Sequence, residues 1–275
     1  MAIYSLHKLS ARHHSVGTNT PRALREISLS IGAGEQVAVI GSSGAGKTTL
    51  LHTLACAHQP DSGSLTLFDA DPWQLSQAAR HALRARLFLA PQTPPLPPRQ
   101  RVVNAVLAGC LPRWNLWQAI ASLIKPVETR TAYEALAQFE LQDKLFSRVD
   151  RLSGGERQRC GLARLLVSHA EIFLVDEPLS ALDLTLSLVT LNALQNEATA
   201  RNATLICSLH HVDFARAYFP RIIGLREGRI EFDLAREAVT DDMISRLYQN
   251  EQDRRTELAN APHETSPAAL NPPYL

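Results

Sequence analysis

The sequence predicts an α/β fold: a parallel core sheet with a helical subdomain to one side. Three observations carry this. Strand-length apolar runs alternate with helix-length amphipathic segments, the pattern of parallel strands joined by crossover helices. The run 36–40 (QVAVI) leads straight into a glycine-rich loop and then a helix-like segment. A mostly helical stretch over about 93–155 interrupts the alternation, as an inserted subdomain would.

Taken in order, residues 2–7 read as a short strand, and 12–21, rich in His, Gly, Asn and Pro, as a loop. Residues 23–31 alternate apolar and polar side chains at period two, a second strand. Gly32-Ala33-Gly34-Glu35 is a turn into 36–40, whose unbroken apolar character suits a strand buried on both faces. A helix over 49–58, a turn at 61–64 and a strand at 65–68 follow. A helix is expected over 73–86 and a short strand over 87–90. Five of the eight residues 91–98 are proline, which excludes helix and central strand and makes a stiff connection. Apolar residues at three- and four-residue spacing predict helices within 102–109, 115–124 and 128–141. Strands return at 171–178, 204–211 and 221–232. The tail beyond 250, rich in Pro, Ala, Asn, Thr and Glu, reads as disordered, so the folded domain is expected over 1–250 and the tail over 251–275.

Composition narrows the function classes. With 275 residues, 45% hydrophobic and 20% charged, the chain can build a sizeable core. Lys plus Arg is 28 and Asp plus Glu 27, so no basic surplus argues for a nucleic-acid partner, although a local basic patch stays open. Cys56, Cys110, Cys160 and Cys207 form no CxxC pair, which speaks against a zinc ribbon or disulfide framework and for a reducing compartment. The N-terminus lacks a signal-peptide h-region, and no run approaches the ~20 apolar residues of a membrane span. A soluble, cytosolic protein is expected, with any membrane role supplied by a partner.

The chemistry-bearing residues fall into three groups. Gly41-Ser42-Ser43-Gly44-Ala45-Gly46-Lys47-Thr48 satisfies G-x-x-x-x-G-K-[ST] between a strand and a helix. Polyphosphate binding needs inward-pointing N–H groups, which glycines in positive-φ conformations and a helix N-terminus supply. Lys47 would reach the β- and γ-phosphates, and the Thr48 hydroxyl would hold Mg²⁺. The apolar run 172–175 ends in Asp176 and Glu177; Asp176 suits the Mg²⁺ shell, and Glu177 suits positioning or deprotonating an attacking water. Leu152-Ser153-Gly154-Gly155-Glu156 opens a helix. Ser153 and Glu156 make a capping box, but a capping box does not call for Gly-Gly, and that surplus points to an anion site.

These motifs resemble those of the nucleotide-binding subunits of ABC transporters, over roughly residues 3–250. Residues 41–48 are similar to Walker A, 172–176 with Glu177 to Walker B, and 152–156 to the signature. Gln92 resembles the Q-loop glutamine, 180–183 (SALD) the D-loop, and His210 the switch histidine, with His211 beside it as a surface residue. The resemblance implies a P-loop NTPase fold of the ABC type, with a mainly parallel core sheet, an N-terminal antiparallel β subdomain and a helical subdomain. It implies ATP and Mg²⁺ as ligands. Thr49 joins 41–48 in the phosphate site; Thr48, Gln92 and Asp176 serve the metal; Glu177, His210 and Gln92 are catalytic. It further implies an ATP-bound homodimer in which Ser153, Gly154, Gly155 and Asp183 complete the partner copy's site. An aromatic ring that the family usually places on adenine is replaced by His13 or His14, with His13 the candidate.

Separate ATPase subunits without membrane helices resemble those of bacterial importers, placed peripherally on the cytoplasmic face of the inner membrane. Residues 104–109 (NAVLAG), Trp114, 209–213 (LHHVD), 221–229 (RIIGLREGR) and the stretch 239–248 resemble phosphonate-import ATPases. The resemblance thus implies uptake of phosphonate or a related phosphorus oxyanion, with integral membrane permease subunits and, indirectly, a periplasmic or surface substrate-binding protein as partners, and no nucleic acid. An importer for another small solute, and a soluble nucleic-acid-associated ABC ATPase, remain the alternatives at this point.

Overall fold

The computed structural model describes residues 2–13, 21–124 and 128–249. The expected disordered tail at 251–275 lies outside them, as does His14. Strands β1 (Ala2–Arg12) and β2 (Arg22–Gly32) lead to β3 (Gln36–Ile40), followed by helix α1 (Lys47–Leu54), β4 (Ser62–Leu67), α2 (Gln77–Arg84) and β5 (Leu87–Ala90). Then come α3 (Val102–Leu107), α4 (Leu116–Ile124), α5 (Thr129–Ala137) and α6 (Gly154–Leu166). The chain continues through β6 (Ile172–Asp176), α7 (Leu184–Arg201), β7 (Thr204–Leu209), α8 (Val212–Tyr218), β8 (Arg221–Arg226) and β9 (Arg229–Ala235). Residues 241–249 are helical.

The core sheet has the order β5-β6-β7-β3-β8-β9, with parallel pairing everywhere except the antiparallel β8–β9 edge. A second sheet, β2-β1-β4, is antiparallel. The mainly parallel sheet, the N-terminal antiparallel sheet and the helices between β5 and β6 are those the sequence and its resemblance led us to expect. Strand alternation sends side chains to two cores. Val37, Val39, Ile172, Leu174 and Ile206 pack with α1 and the antiparallel sheet. Ala38, Ile40, Phe173, Val175, Leu205 and Cys207 pack with α6, α7, α8 and the helical insert. Burial on both faces is why these strands read as continuous apolar runs.

Four local readings are corrected. The helix expected from Trp73 begins at Gln77, because Asp71 turns the chain by accepting the Trp73 N–H at 2.9 Å and Ser76 is the N-cap. The helix expected at 49–58 spans α1 instead, starting directly from the glycine-rich loop. The strand expected at 221–232 is a hairpin, turned at Glu227 and Gly228, both with positive φ. β1 extends to Arg12 through register irregularities around Lys8.

Candidate active site

Because β5, β6, β7 and β3 are adjacent and parallel, the residues after each emerge side by side at one edge. Gln92 follows β5, Glu177 follows β6, His210 follows β7 and the glycine-rich loop follows β3. Open parallel sheets hold ligands at this edge. Gln92, Glu177, Ser180, His210 and His211 line a cleft there of about 250 Å³, together with Leu179 and Leu209.

The loop's glycines are conformationally required: φ is +154° at Gly41, +76° at Gly44 and +107° at Gly46. A Cβ on Gly41 would lie 2.1 Å from the Leu225 carbonyl oxygen. The Ala45 carbonyl accepts the Gly228 N–H at 3.0 Å, tying the loop to the β8–β9 turn. Ser43 and Gly44 are exposed, Ser42 is half-buried, and Thr49 is buried inside α1. Gly46 stands at the N-cap of α1 without a side-chain cap, leaving that helix end suited to an anion. The Lys47 ammonium is buried and donates to the carbonyls of Gly41 at 2.8 Å and Ser42 at 3.2 Å.

The carboxylates are held from several sides. Asp176, the last residue of β6, accepts from the Thr48 hydroxyl at 2.8 Å and from the Ser208 hydroxyl at 2.6 Å. Glu177 has φ +49°, a left-handed conformation that costs a non-glycine residue about 1–3 kcal/mol. Its backbone is fixed on both sides: its N–H donates to Ser208 Oγ at 3.0 Å, and its carbonyl accepts from Gln158 Nε2 at 2.7 Å. Its carboxylate meets His210 Nε2 at 2.5 Å, Gln92 Nε2 at 2.8 Å and Lys47 Nζ at 4.0 Å. The hydrogen bond to His210, and the His210 and Lys47 charges behind it, hold the Glu177 carboxyl below its ordinary value against the opposing effect of burial.

Thr48 and Asp176 present hard oxygen donors side by side, which fits Mg²⁺; such an ion takes one or two protein oxygens and completes its shell with phosphates and water. Among the described residues no group of three or more His, Cys, Asp or Glu forms a metal cluster. Gln92, expected to serve the metal as well, directs its amide to Glu177.

The capping box expected at α6 is present: Ser153 Oγ accepts from the Glu156 N–H at 3.2 Å, and Glu156 Oε2 accepts from the Ser153 N–H at 2.7 Å. The two glycines differ. A Cβ on Gly155 would lie 2.8 Å from the Ala181 carbonyl oxygen, so this glycine lets the D-loop stretch approach. A Cβ on Gly154 would meet nothing within 4 Å. Asp183 is exposed and caps α7, accepting the Leu186 N–H at 2.8 Å. His211 is exposed, with its ring edge-on to Phe214 at 6.0 Å, whereas His210 faces Glu177. His13 is exposed just beyond β1.

A family model described as ABC transporter matches residues 24–180. The chain belongs to the ABC transporter family. Within it the chain is an ATPase, with the phosphate loop and carboxylates of one. It is 57% identical over 256 residues to the phosphonates import ATP-binding protein 2 of Albidiferax ferrireducens, covering 93% of this chain and 92% of that one. It is 55% identical over 272 residues to the phosphonates import ATP-binding protein of a Polaromonas species, covering 98% and 97%. Among solved structures it is similar in fold to a dimeric ATP-binding cassette in a post-hydrolysis state bound to ADP and phosphate, with a TM-score of 0.75, 24% identity, and 86% and 100% of the two chains covered. A cbiO1 subunit from Clostridium perfringens shares the fold at a TM-score of 0.70 and 22% identity, covering 94% and 98%.

Two residues of this ABC site escaped sequence reading. Ser208 joins Asp176 to the Glu177 backbone, and only the parallel register that sets Asp176 opposite Ser208 reveals it. Gln158, on α6, reaches Glu177 and Ser180 from the helical side.

Proposed function

We propose that this chain powers the uptake of phosphonate or a related phosphorus oxyanion, as the ATPase subunit of an importer on the cytoplasmic face of the inner membrane. It acts on separate permease subunits, which receive substrate from a binding protein. The near full-length likeness to phosphonates import ATP-binding proteins supports the substrate class. The convergence of His210, Gln92 and Lys47 on the Glu177 carboxylate is the observation that carries the catalytic assignment.

In this reading N–H groups within 42–48 and in the first turn of α1 hold the phosphates, and Lys47 turns from the Gly41 and Ser42 carbonyls to the β- and γ-phosphates. Thr48 and Asp176 hold Mg²⁺, which when bound neutralises charge on the phosphate oxygens. Glu177 then orients the attacking water and accepts its proton. His210 then contacts the γ-phosphate, and Gln92 senses the nucleotide and passes its state toward the permease. Ser153, Gly154 and Gly155 of a second copy close over the phosphates, with Asp183 at the shared interface. The open space at Gly154 supports that reading, since this copy's own packing does not require glycine there. His13 stacks on adenine.

Reconstitution with the permease tests the function. ATPase stimulation by a phosphonate-loaded binding protein, and none by the unloaded one, is the expected result. Stimulation by other small solutes alone would move the substrate elsewhere.

A further inference from the structure

The Gly41 N–H, at the entry of the phosphate loop, donates to the Tyr248 hydroxyl at 3.2 Å across 207 positions of sequence. Gly41 is buried and follows the last ladder residue of β3, so without such a partner its N–H would be shut away from water. The same residue's carbonyl accepts the Lys47 ammonium at 2.8 Å. Tyr248 thus holds one side of Gly41 and Lys47 the other. The Leu225 carbonyl fills the space a side chain at Gly41 would take, so that backbone runs close beside the loop entry.

Tyr248 is itself firmly placed. Its helix, 241–249, packs Met243, Ile244 and the buried Leu247 on the core beneath the sheet. Arg216 ties the start of that helix through Asp241 at 2.6 Å, and Arg226 donates to the Arg246 carbonyl at 3.0 Å near its end.

We propose that Tyr248 is a positioning residue of the nucleotide site: its hydroxyl fixes Gly41, and through Gly41 the carbonyl from which Lys47 is delivered to the phosphates. This rests on the ATPase reading above. The helix 241–249, outside every phosphate-binding motif, is then part of the site.

The test uses the full chain and Tyr248→Phe, which keeps the ring and removes the hydroxyl, with Tyr133→Phe on α5 as control. ATP affinity and the KM for ATP should weaken about three- to tenfold in Tyr248→Phe, as loss of one hydrogen bond predicts, with kcat within about twofold. The Gly41 amide should exchange with solvent about tenfold faster, read by NMR without nucleotide. Wild-type KM, or wild-type Gly41 exchange, in a folded Tyr248→Phe protein would overturn the proposal, whatever its Tm. A wild-type chain that binds no ATP would bring down the ATPase reading instead, while the exchange measurement would still decide whether the hydroxyl holds Gly41.

Discussion

His210 Nε2 lies 2.5 Å from Glu177 Oε1, and this contact is the leading cause of the lowered Glu177 carboxyl. A depressed carboxyl contributes stability above its ordinary value of 4.5 and loses it as pH falls through the lowered folded-state value. Removing the imidazole should return the carboxyl upward. In His210→Ala the acidic limb of the kcat/KM profile should therefore move to higher pH, on top of a loss of rate at pH 7. An unmoved acidic limb would mean that Glu177 does not set it.

Gly154 and Gly155 separate packing from function. Gly155→Ala must push the Ala181 carbonyl away, so it should cost about 1–3 kcal/mol of folding stability, seen as a lower Tm, and reduce ATPase activity as well. Gly154→Ala should leave folding stability within about 0.5 kcal/mol of wild type, the range of a surface change, yet cut ATPase activity, because the added methyl obstructs the second copy. Thermal unfolding and ATPase assays of both proteins read this; full activity in Gly154→Ala would remove that surface from the shared site.

Gln92 reaches Glu177 from the proline-rich joint between β5 and the helical insert. Gln92→Ala should reduce permease-stimulated ATPase activity more than basal activity. Equal losses in both would make Gln92 a local water or metal ligand only.

His13 tests the adenine end. Stacking on a base contributes about 1–3 kcal/mol, and an imidazole belongs at the lower end. His13→Ala should weaken ATP binding by up to about tenfold, and His13→Tyr should preserve or tighten it. Identical affinities in nucleotide titrations of the three proteins would take His13 out of the site.

The motifs were legible because each is local. A glycine loop, a strand ending in Asp-Glu and a capping box need only neighbouring residues, and the fold places them as read. What escaped the sequence depends on register and long-range packing. Ser208 looks like an ordinary strand serine until the β6–β7 ladder sets it opposite Asp176. Gln158 is one polar residue among several on α6 until that helix docks against the Glu177 carbonyl. Tyr248 lies 207 positions from the glycine it contacts. The helix start at Gln77 was missed because turn chemistry at Asp71 overrode a helical pattern.

Glu177→Gln tests the central claim most directly. It preserves shape and the main-chain bonds to Ser208 and Gln158 but removes the negative charge from the cleft. Hydrolysis by the purified protein should slow by about 10²–10⁴, the range for a lost general base, while ATP binding stays intact and light scattering shows a dimer with ATP and a monomer with ADP. Hydrolysis at the wild-type rate would show that another group activates the water and would contradict the account.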